Sequence, residues 1–290
     1  MSRLVTFHSR VLFLAALFAT GMAHAQSLDG RLKKIAETKS IAIAYRADAT
    51  PFSFAGANNQ PDGFSIDLCK RVVNSIERQI KVQNLKIKWV PVTAQSRFDA
   101  VAKGQADLEC GSSSMTLTRL KQVDFSSIIF VETTGLLVKT ASGVRTISDM
   151  GGKKIGVVAG TTNERAVNAQ LKRWRLESTV VPFKSRDEAM AAFDEGKIDA
   201  FAGDKLLLIG AVSKAKDPAA LTLLADQLSY EPYAIVLPRG DASLRLAVNT
   251  GLSQIYTSDQ ITEVFGRWFA GLGRPSPILE AVYALGAIPQ

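Results

Sequence analysis

The stretch KKIGVVAGTTNERAVNAQLKRWRLESTVVPFKSRDEAMAAFDEGKIDAFAGD, residues 153–204, reads as strand, helix, strand, helix, strand. KKIGVVAG (153–160), STVVPF (178–183) and IDAFAGD (198–204) are short apolar runs with β-branched or aromatic residues. TNERAVNAQLKRW (162–174) and RDEAMAAFDEG (186–196) between them space their apolar residues at helical intervals. Alternation of this kind points to a mostly parallel sheet covered by helices, an α/β fold. The same alternation lies N-terminal to it. SIAIAYR (40–46), LKIKWVPV (85–92) and ADLECG (106–111) read as strands, and FSIDLCKRVVNSIERQI (64–80) and QSRFDAVAKG (95–104) as helices. Two similar lobes are therefore expected. On the C-terminal side YEPYAIVLPRG (230–240) is strand-like and two helical stretches run on to EVFGRWFAG (263–271), a segment that would return to complete the first lobe. Crossing strands near IIFVETTGLLV (128–138) and LSYEPYAIV (228–236) would make a two-stranded hinge.

An internal echo supports the division. AVAKGQADLECGS (100–112) and AAFDEGKIDAFAGD (191–204) share a helix end, a glycine, two residues, an aspartate, an apolar strand and a glycine. Gly104 and Gly196 would take the left-handed conformation that ends a helix, and Asp107 and Asp199 would close the turn before the strand. An ordinary recurring helix-to-strand connection would look much the same. Ligands of parallel α/β sheets bind at the carboxyl ends of the strands, and Ser112 and Asp204 stand at two such ends.

The first 25 residues read as an export signal: Arg3 and Arg10, the apolar run VLFLAALFA (11–19), too short to span a bilayer, and AHA (23–25) as the cleavage site. Cleavage after Ala25 removes both histidines, His8 and His24, and with them any Ser-His-Asp triad or histidine-ligated zinc site. It leaves about 265 residues, enough for one large or two ordinary domains, and lowers the formal charge from +8 to +6 by the loss of two arginines. The remaining basic residues are scattered without aromatic interleaving, which fits a solvated surface and not a nucleic-acid interface. Cys69 and Cys110 admit either a disulfide or two buried thiols. No P-loop or dinucleotide-binding glycine pattern is present, since GLGRPS lacks the third glycine, and no cofactor is expected. SKAK (213–216) matches S-x-x-K without the companion motifs of that chemistry, and reads as a charged helix end.

CGSSSMTLTR (110–119) offers hydroxyls and turn amides followed by a guanidinium, a donor set suited to a carboxylate; taken alone it reads more readily as a helix N-cap with a surface arginine. With TPFSF (50–54), DGFSIDL (62–68), GQADLECGSSSMTLTRLKQVDFS (104–126), GGKKIGVVAGTTNE (151–164) and GKIDAFAGD (196–204) in this order, residues 28–268 resemble the bacterial periplasmic amino-acid-binding proteins. Through YRADATPFSF (45–54), VTAQSRFDAV (92–101) and ECGSSS (109–114) they are most similar to the glutamate/aspartate-binding branch of ABC importers.

The resemblance implies a two-lobed type II periplasmic-binding-protein fold: 1–25 signal peptide, 26–132 and 232–270 forming lobe 1, 133–231 forming lobe 2, and an unplaced tail, 271–290. It implies a periplasmic monomer that binds an acidic amino acid and meets an inner-membrane ABC permease. Arg119, Ser112 and Ser114 would hold the α-carboxylate, aided by Thr161 and Thr162 at a helix N-terminus, where plain N-capping is the other reading. Asp204 would accept the α-ammonium; its other reading is the N-cap of the helix beginning KLLLIGA. Arg46 and Arg97 would face the side-chain carboxylate, making three guanidiniums with Arg119 around one pocket. Ala94, Val158 and Arg186 depart from the branch, the first two lacking a hydroxyl and the third replacing a histidine. The competing readings are an exported enzyme of the same architecture, using Glu109 or Glu132 as acid/base, and a ligand carrier for a sensory receptor.

Overall fold

The computed structural model describes residues 28–289. The export signal falls outside them. Helix α1 (Gly30–Thr38) leads into β1 (Ser40–Arg46), followed by three short strands, β2 (Asp48–Ala49), β3 (Ser53–Ala55) and β4 (Pro61–Asp62), which form a small antiparallel sheet. Then come α2 (Phe64–Gln79), β5 (Lys86–Val92), α3 (Arg97–Ala102), β6 (Leu108–Glu109) and the long β7 (Val123–Lys139). The second unit comprises β8 (Lys154–Val158), α4 (Thr162–Trp174), β9 (Thr179–Phe183), α5 (Arg186–Asp194), β10 (Ala200–Asp204), α6 (Lys205–Val212) and β11 (Leu221–Leu223). Strand β12 (Tyr230–Pro238) and helices α7 (Ala242–Tyr256), α8 (Gln260–Phe269) and α9 (Pro277–Gly286) close the chain.

One sheet runs through the molecule in the order β5-β1-β6-β12-β7-β10-β8-β9, with β11 also on β7. Each half holds three parallel strands in the same arrangement, β5-β1-β6 and β9-β8-β10, and the antiparallel pair β7–β12 joins them. Strand β7 pairs with β12 along residues 123–133 and with β10 along 134–138, so one continuous strand serves both halves.

The echo in the sequence is a shared device. Gly104 and Gly196 both have left-handed backbone, with φ of 76° and 72°. Asp107 Oδ2 accepts from the Ala42 amide at 2.8 Å, and Asp199 Oδ2 from the Lys154 amide at 2.7 Å. Each aspartate therefore ties its strand to the first parallel strand of its own half, where the sequence suggested only closure of a turn.

The apolar faces follow the helical period. Helix α2 buries Phe64, Leu68, Cys69, Val72, Val73 and Ile76 in the largest core, where Phe52, Phe130 and Phe269 stack edge-on or tilted on Phe64, and Tyr233 on Phe52. Full burial of each large side chain contributes roughly 1.5–3 kcal/mol. Cys69 of α2 is disulfide-bonded to Cys110, which settles the choice the sequence left open. The tail that the sequence left unplaced forms α9: Leu279 and Tyr283 are buried, and the Tyr283 hydroxyl donates to the Ile129 carbonyl of β7. Ala94, from the first half, packs with Val158, Phe193 and Phe201 of the second. Among the described residues no helix is long and apolar enough to cross a membrane.

Candidate functional site

The carboxyl ends of β1, β6, β8 and β10 meet where the two halves face each other. The halves touch directly there. Ser114 Oγ lies 3.3 Å from Thr162 Oγ1, and Gln95 Nε2 donates to the carbonyls of Ala159 and Lys184 at 3.0 and 3.2 Å. Arg186 Nη1 donates to the Asp48 carbonyl at 2.7 Å, with the Asp48 carboxylate 3.7 Å away. These contacts describe a closed cleft.

Arg46, Arg97, Arg119 and Arg186 are all buried. Arg46 is not the free guanidinium expected from sequence: its Nε and Nη2 both donate to the Asp48 carboxylate at 2.7 Å. Burial alone would raise the Asp48 pKa, but the hydrogen bonds and charge of Arg46, with help from Arg186, overcome it and hold the carboxyl well below the usual range. Arg97 has no hydrogen-bond partner for Nε or Nη1, and burial, with the charges of Arg119 and Arg46, lowers its pKa to about 9. Arg119 donates through Nη1 to the Ser114 carbonyl at 2.7 Å while its buried Nη2 has no partner. Burial and the charge of Arg165 lower it to about 10. Both guanidiniums lie over the Phe98 ring, 4.7 and 4.6 Å from its centroid, and the attraction of each to the ring offsets part of their mutual repulsion. The surface-arginine reading of Arg119 does not hold, and no α-helix begins at the serines: the chain makes only a 3-10 turn at Arg119–Lys121.

The acidic side of the cleft is Asp204. It occupies the N-cap of α6 but its carboxylate caps no amide. Instead Oδ2 accepts the Tyr233 hydroxyl at 2.5 Å and Oδ1 accepts Asn163 Nδ2 at 2.7 Å. Burial, reinforced by the charge of Glu231, raises its pKa to about 6. Glu132 takes over the helix end, accepting the Leu206 amide at 3.2 Å, and burial together with Asp204 raises it to about 8. Thr161 does cap α4, accepting the Glu164 amide at 3.3 Å and donating to the Val158 carbonyl. Ser112 is buried in the turn after β6.

Of the eight residues singled out in the sequence, Ser114 and Thr162 meet across this boundary, and all but Thr162 are buried. Sequence reasoning passed over Asp48, Asn163, Glu231 and Tyr233. Two weak signals were present: the i, i+2 spacing of Arg46 and Asp48, and that of Glu231 and Tyr233, which places both on one face of a strand. Glu109 is buried beneath the turn, with neither carboxylate oxygen hydrogen-bonded, and burial raises its pKa. The S-x-x-K serine, Ser213, only donates to the Gly210 carbonyl. Among the described residues no cluster of three or more histidine, cysteine, aspartate or glutamate side chains could hold a metal ion.

Residues 41–271 match the bacterial extracellular solute-binding proteins, family 3. The chain belongs to that family. The L-glutamate/L-aspartate-binding protein of Pseudomonas aeruginosa is 32% identical over 95% of this chain and 93% of its own length. The glutamate/aspartate import solute-binding protein of Salmonella typhimurium is 29% identical over 87% of this chain and 84% of its own. Among solved structures, an ancestral amino acid-binding protein that is a precursor of cyclohexadienyl dehydratase superposes with a TM-score of 0.72 at 25% identity, covering 83% of this chain and 100% of that one. This family 3 solute-binding protein thus has the type II periplasmic-binding-protein fold, α/β with a mostly parallel mixed sheet.

Proposed function

We propose that this solute-binding protein captures glutamate or aspartate between its two lobes in the periplasm and delivers it, as a monomer, to an ABC permease. The lobe boundaries fall near residues 132 and 232, where β7 and β12 cross. The observation that carries the reading is the buried, unpartnered N–H groups of Arg97 and Arg119 on one side of a closed cleft whose other side holds Asp204. Arg119, with Ser112 and the amides at Thr161 and Thr162, takes the α-carboxylate. Asp204 takes the α-ammonium. Arg97 takes the side-chain carboxylate, with Arg46 and Arg186 adding positive potential that Asp48 partly offsets. The names of the two relatives support the acidic ligand, and Arg97 supports it independently, because a guanidinium donates two parallel bonds to a carboxylate and meets only one acceptor oxygen in an amide.

The arginines of the closed cleft are buried, and desolvated arginines are costly without a counter-anion. A ligand that pairs with both lobes favours the closed form by contacts the open form cannot make. Calorimetry of refolded, ligand-free protein against the twenty amino acids and common dicarboxylates tests the reading. Glutamate or aspartate should give the tightest isotherm. Tighter binding of glutamine, or of a cationic amino acid, would overturn it. The enzyme reading gains no support from Glu109 or Glu132. Glu109 is covered by the turn, and Glu132 is committed to two backbone amides.

A further inference from the structure

Glu231 lies in β12, 2% exposed, directly opposite Glu132 of β7 in the ladder, and among the described residues it forms no ion pair. Hydroxyls satisfy it instead. Ser114 Oγ donates to Oε2 at 2.5 Å, while Ser229 Oγ and Thr134 Oγ1 donate to Oε1 at 2.6 and 3.1 Å. Thr134 Oγ1 in turn accepts Asn163 Nδ2 at 2.8 Å, and the same amide group donates to Asp204 Oδ1 at 2.7 Å. A continuous chain of hydrogen bonds therefore runs from the carboxylate of Asp204 to that of Glu231, and ends on Ser114 at the mouth of the arginine cluster.

A serine hydroxyl has a single hydrogen. When that hydrogen is spent on Glu231, the buried Ser114 Oγ offers only its two lone pairs, of which one at most is taken by the Thr162 hydroxyl 3.3 Å away. It cannot donate to a ligand carboxylate, but it can accept from an ammonium. We infer that Glu231 is a positioning residue for the α-amino group: by fixing the Ser114 hydroxyl as an acceptor, it makes the cleft selective for a primary ammonium over an α-hydroxyl. The inference rests on the cleft being the amino-acid site. It moves the Ser114 side chain from the carboxylate, where the resemblance put it, to the ammonium. An ammonium has three N–H donors to share between Asp204 and Ser114. An α-hydroxyl has one, which Asp204 alone consumes, so Glu231 contributes nothing to its recognition.

Glu231→Gln keeps the shape and reverses one hydrogen bond. The amide NH2 donates to Ser114 Oγ, and the serine hydrogen turns toward the ligand ammonium. By calorimetry, L-glutamate should bind at least about tenfold more weakly to this variant, whereas 2-hydroxyglutarate, which keeps both carboxylates and the carbon chain, should change less than about threefold. Ser114→Ala should cost glutamate about tenfold in the parent and under threefold in the Glu231→Gln background, because the two residues act as one unit. Equal weakening of both ligands, or independent effects of the two substitutions, would overturn the inference. If Glu231→Gln does not fold, Ser114→Ala in the parent still decides it: a loss confined to the amino ligand supports the proposal, and an equal loss for the hydroxy ligand refutes it. Failure of the acidic-ligand reading shows separately, in the parent. Were that protein to bind glutamine best, the same ratio measured with glutamine and its α-hydroxy analogue would still judge Glu231.

Discussion

Replacing Asp204 by asparagine should separate binding from stability, because the carboxylate serves one at the expense of the other. In the closed structure Asp204 is buried, and its pKa stands at about 6 against an ordinary 3.8, so ionisation at pH 8 costs this folded form on the order of 3 kcal/mol. Asparagine removes that cost and keeps most of the local bonding. Its oxygen accepts Asn163 Nδ2, and the Tyr233 hydroxyl can turn to accept from the new NH2. Stability at pH 8 should be unchanged or higher by up to about 2 kcal/mol, a rise of several degrees in Tm for a chain of this size. Binding should move the other way. An ammonium left without its carboxylate in a buried site costs about 2 to 5 kcal/mol, or roughly 30-fold to several thousand-fold in Kd. Calorimetry and a thermal melt on the same preparation read both quantities. A loss of affinity below about fivefold would mean that Asp204 does not face the ligand. A large loss accompanied by a lower Tm would mean that its part is structural.

Arg97→Met should erase the preference for glutamate over glutamine, expected to be at least about 30-fold in the parent, while sparing the α-group contacts; a preference that survives would place the side-chain carboxylate elsewhere. With Asp204 near 6 and Glu132 near 8, both above their unfolded values, the folded protein holds more protons than the unfolded chain between about pH 4 and 8. Their stabilising contribution is complete below that window and lost as the pH rises through it. The ligand-free Tm should therefore be higher at pH 5.5 than at pH 8.5, and a flat or inverted profile would count against the buried acids. Arg186→Gln removes the bond to the Asp48 carbonyl across the cleft and should weaken ligand binding about tenfold, chiefly through faster release. An unchanged dissociation rate would show that this contact is not a clasp.

The alternation of strand and helix was legible because each element satisfies a local rule. The apolar period of α2 and the glycine-ended helices before β6 and β10 needed no tertiary information. The positions of the site residues were legible for a related reason, since parallel strands direct their carboxyl ends to one edge and the residues there could be counted from the strands. Their hydrogen-bond partners were not. Asp48 is two residues from Arg46, but whether a neighbouring carboxylate turns inward depends on Arg186, 138 residues away, closing over it. Glu231 sits in a strand whose other residues are apolar, and its acceptance of Ser114 joins positions 117 apart. The charge around the cleft was for that reason overestimated from sequence: three arginines were visible, and the Asp48 carboxylate that pairs with one of them was not. The last helix was missed because a short segment bounded by proline and glycine carries too few turns to show a period.

The pairing of β6 with β12 has a consequence for the order in which the molecule can assemble. Glu109 meets its ladder partner Val236 only after the chain has emerged to within about the last fifth of its length. The sheet β9-β8-β10 and its helices, by contrast, come from one uninterrupted stretch and have mostly short-range closures. Contacts that must wait for distant residues form slowly, because a long loop has to close before they contribute. During synthesis the middle of this chain can acquire structure first. The first strands join β12 only after the middle has been made, so the turn carrying Ser112 and Ser114 reaches its final position late in folding.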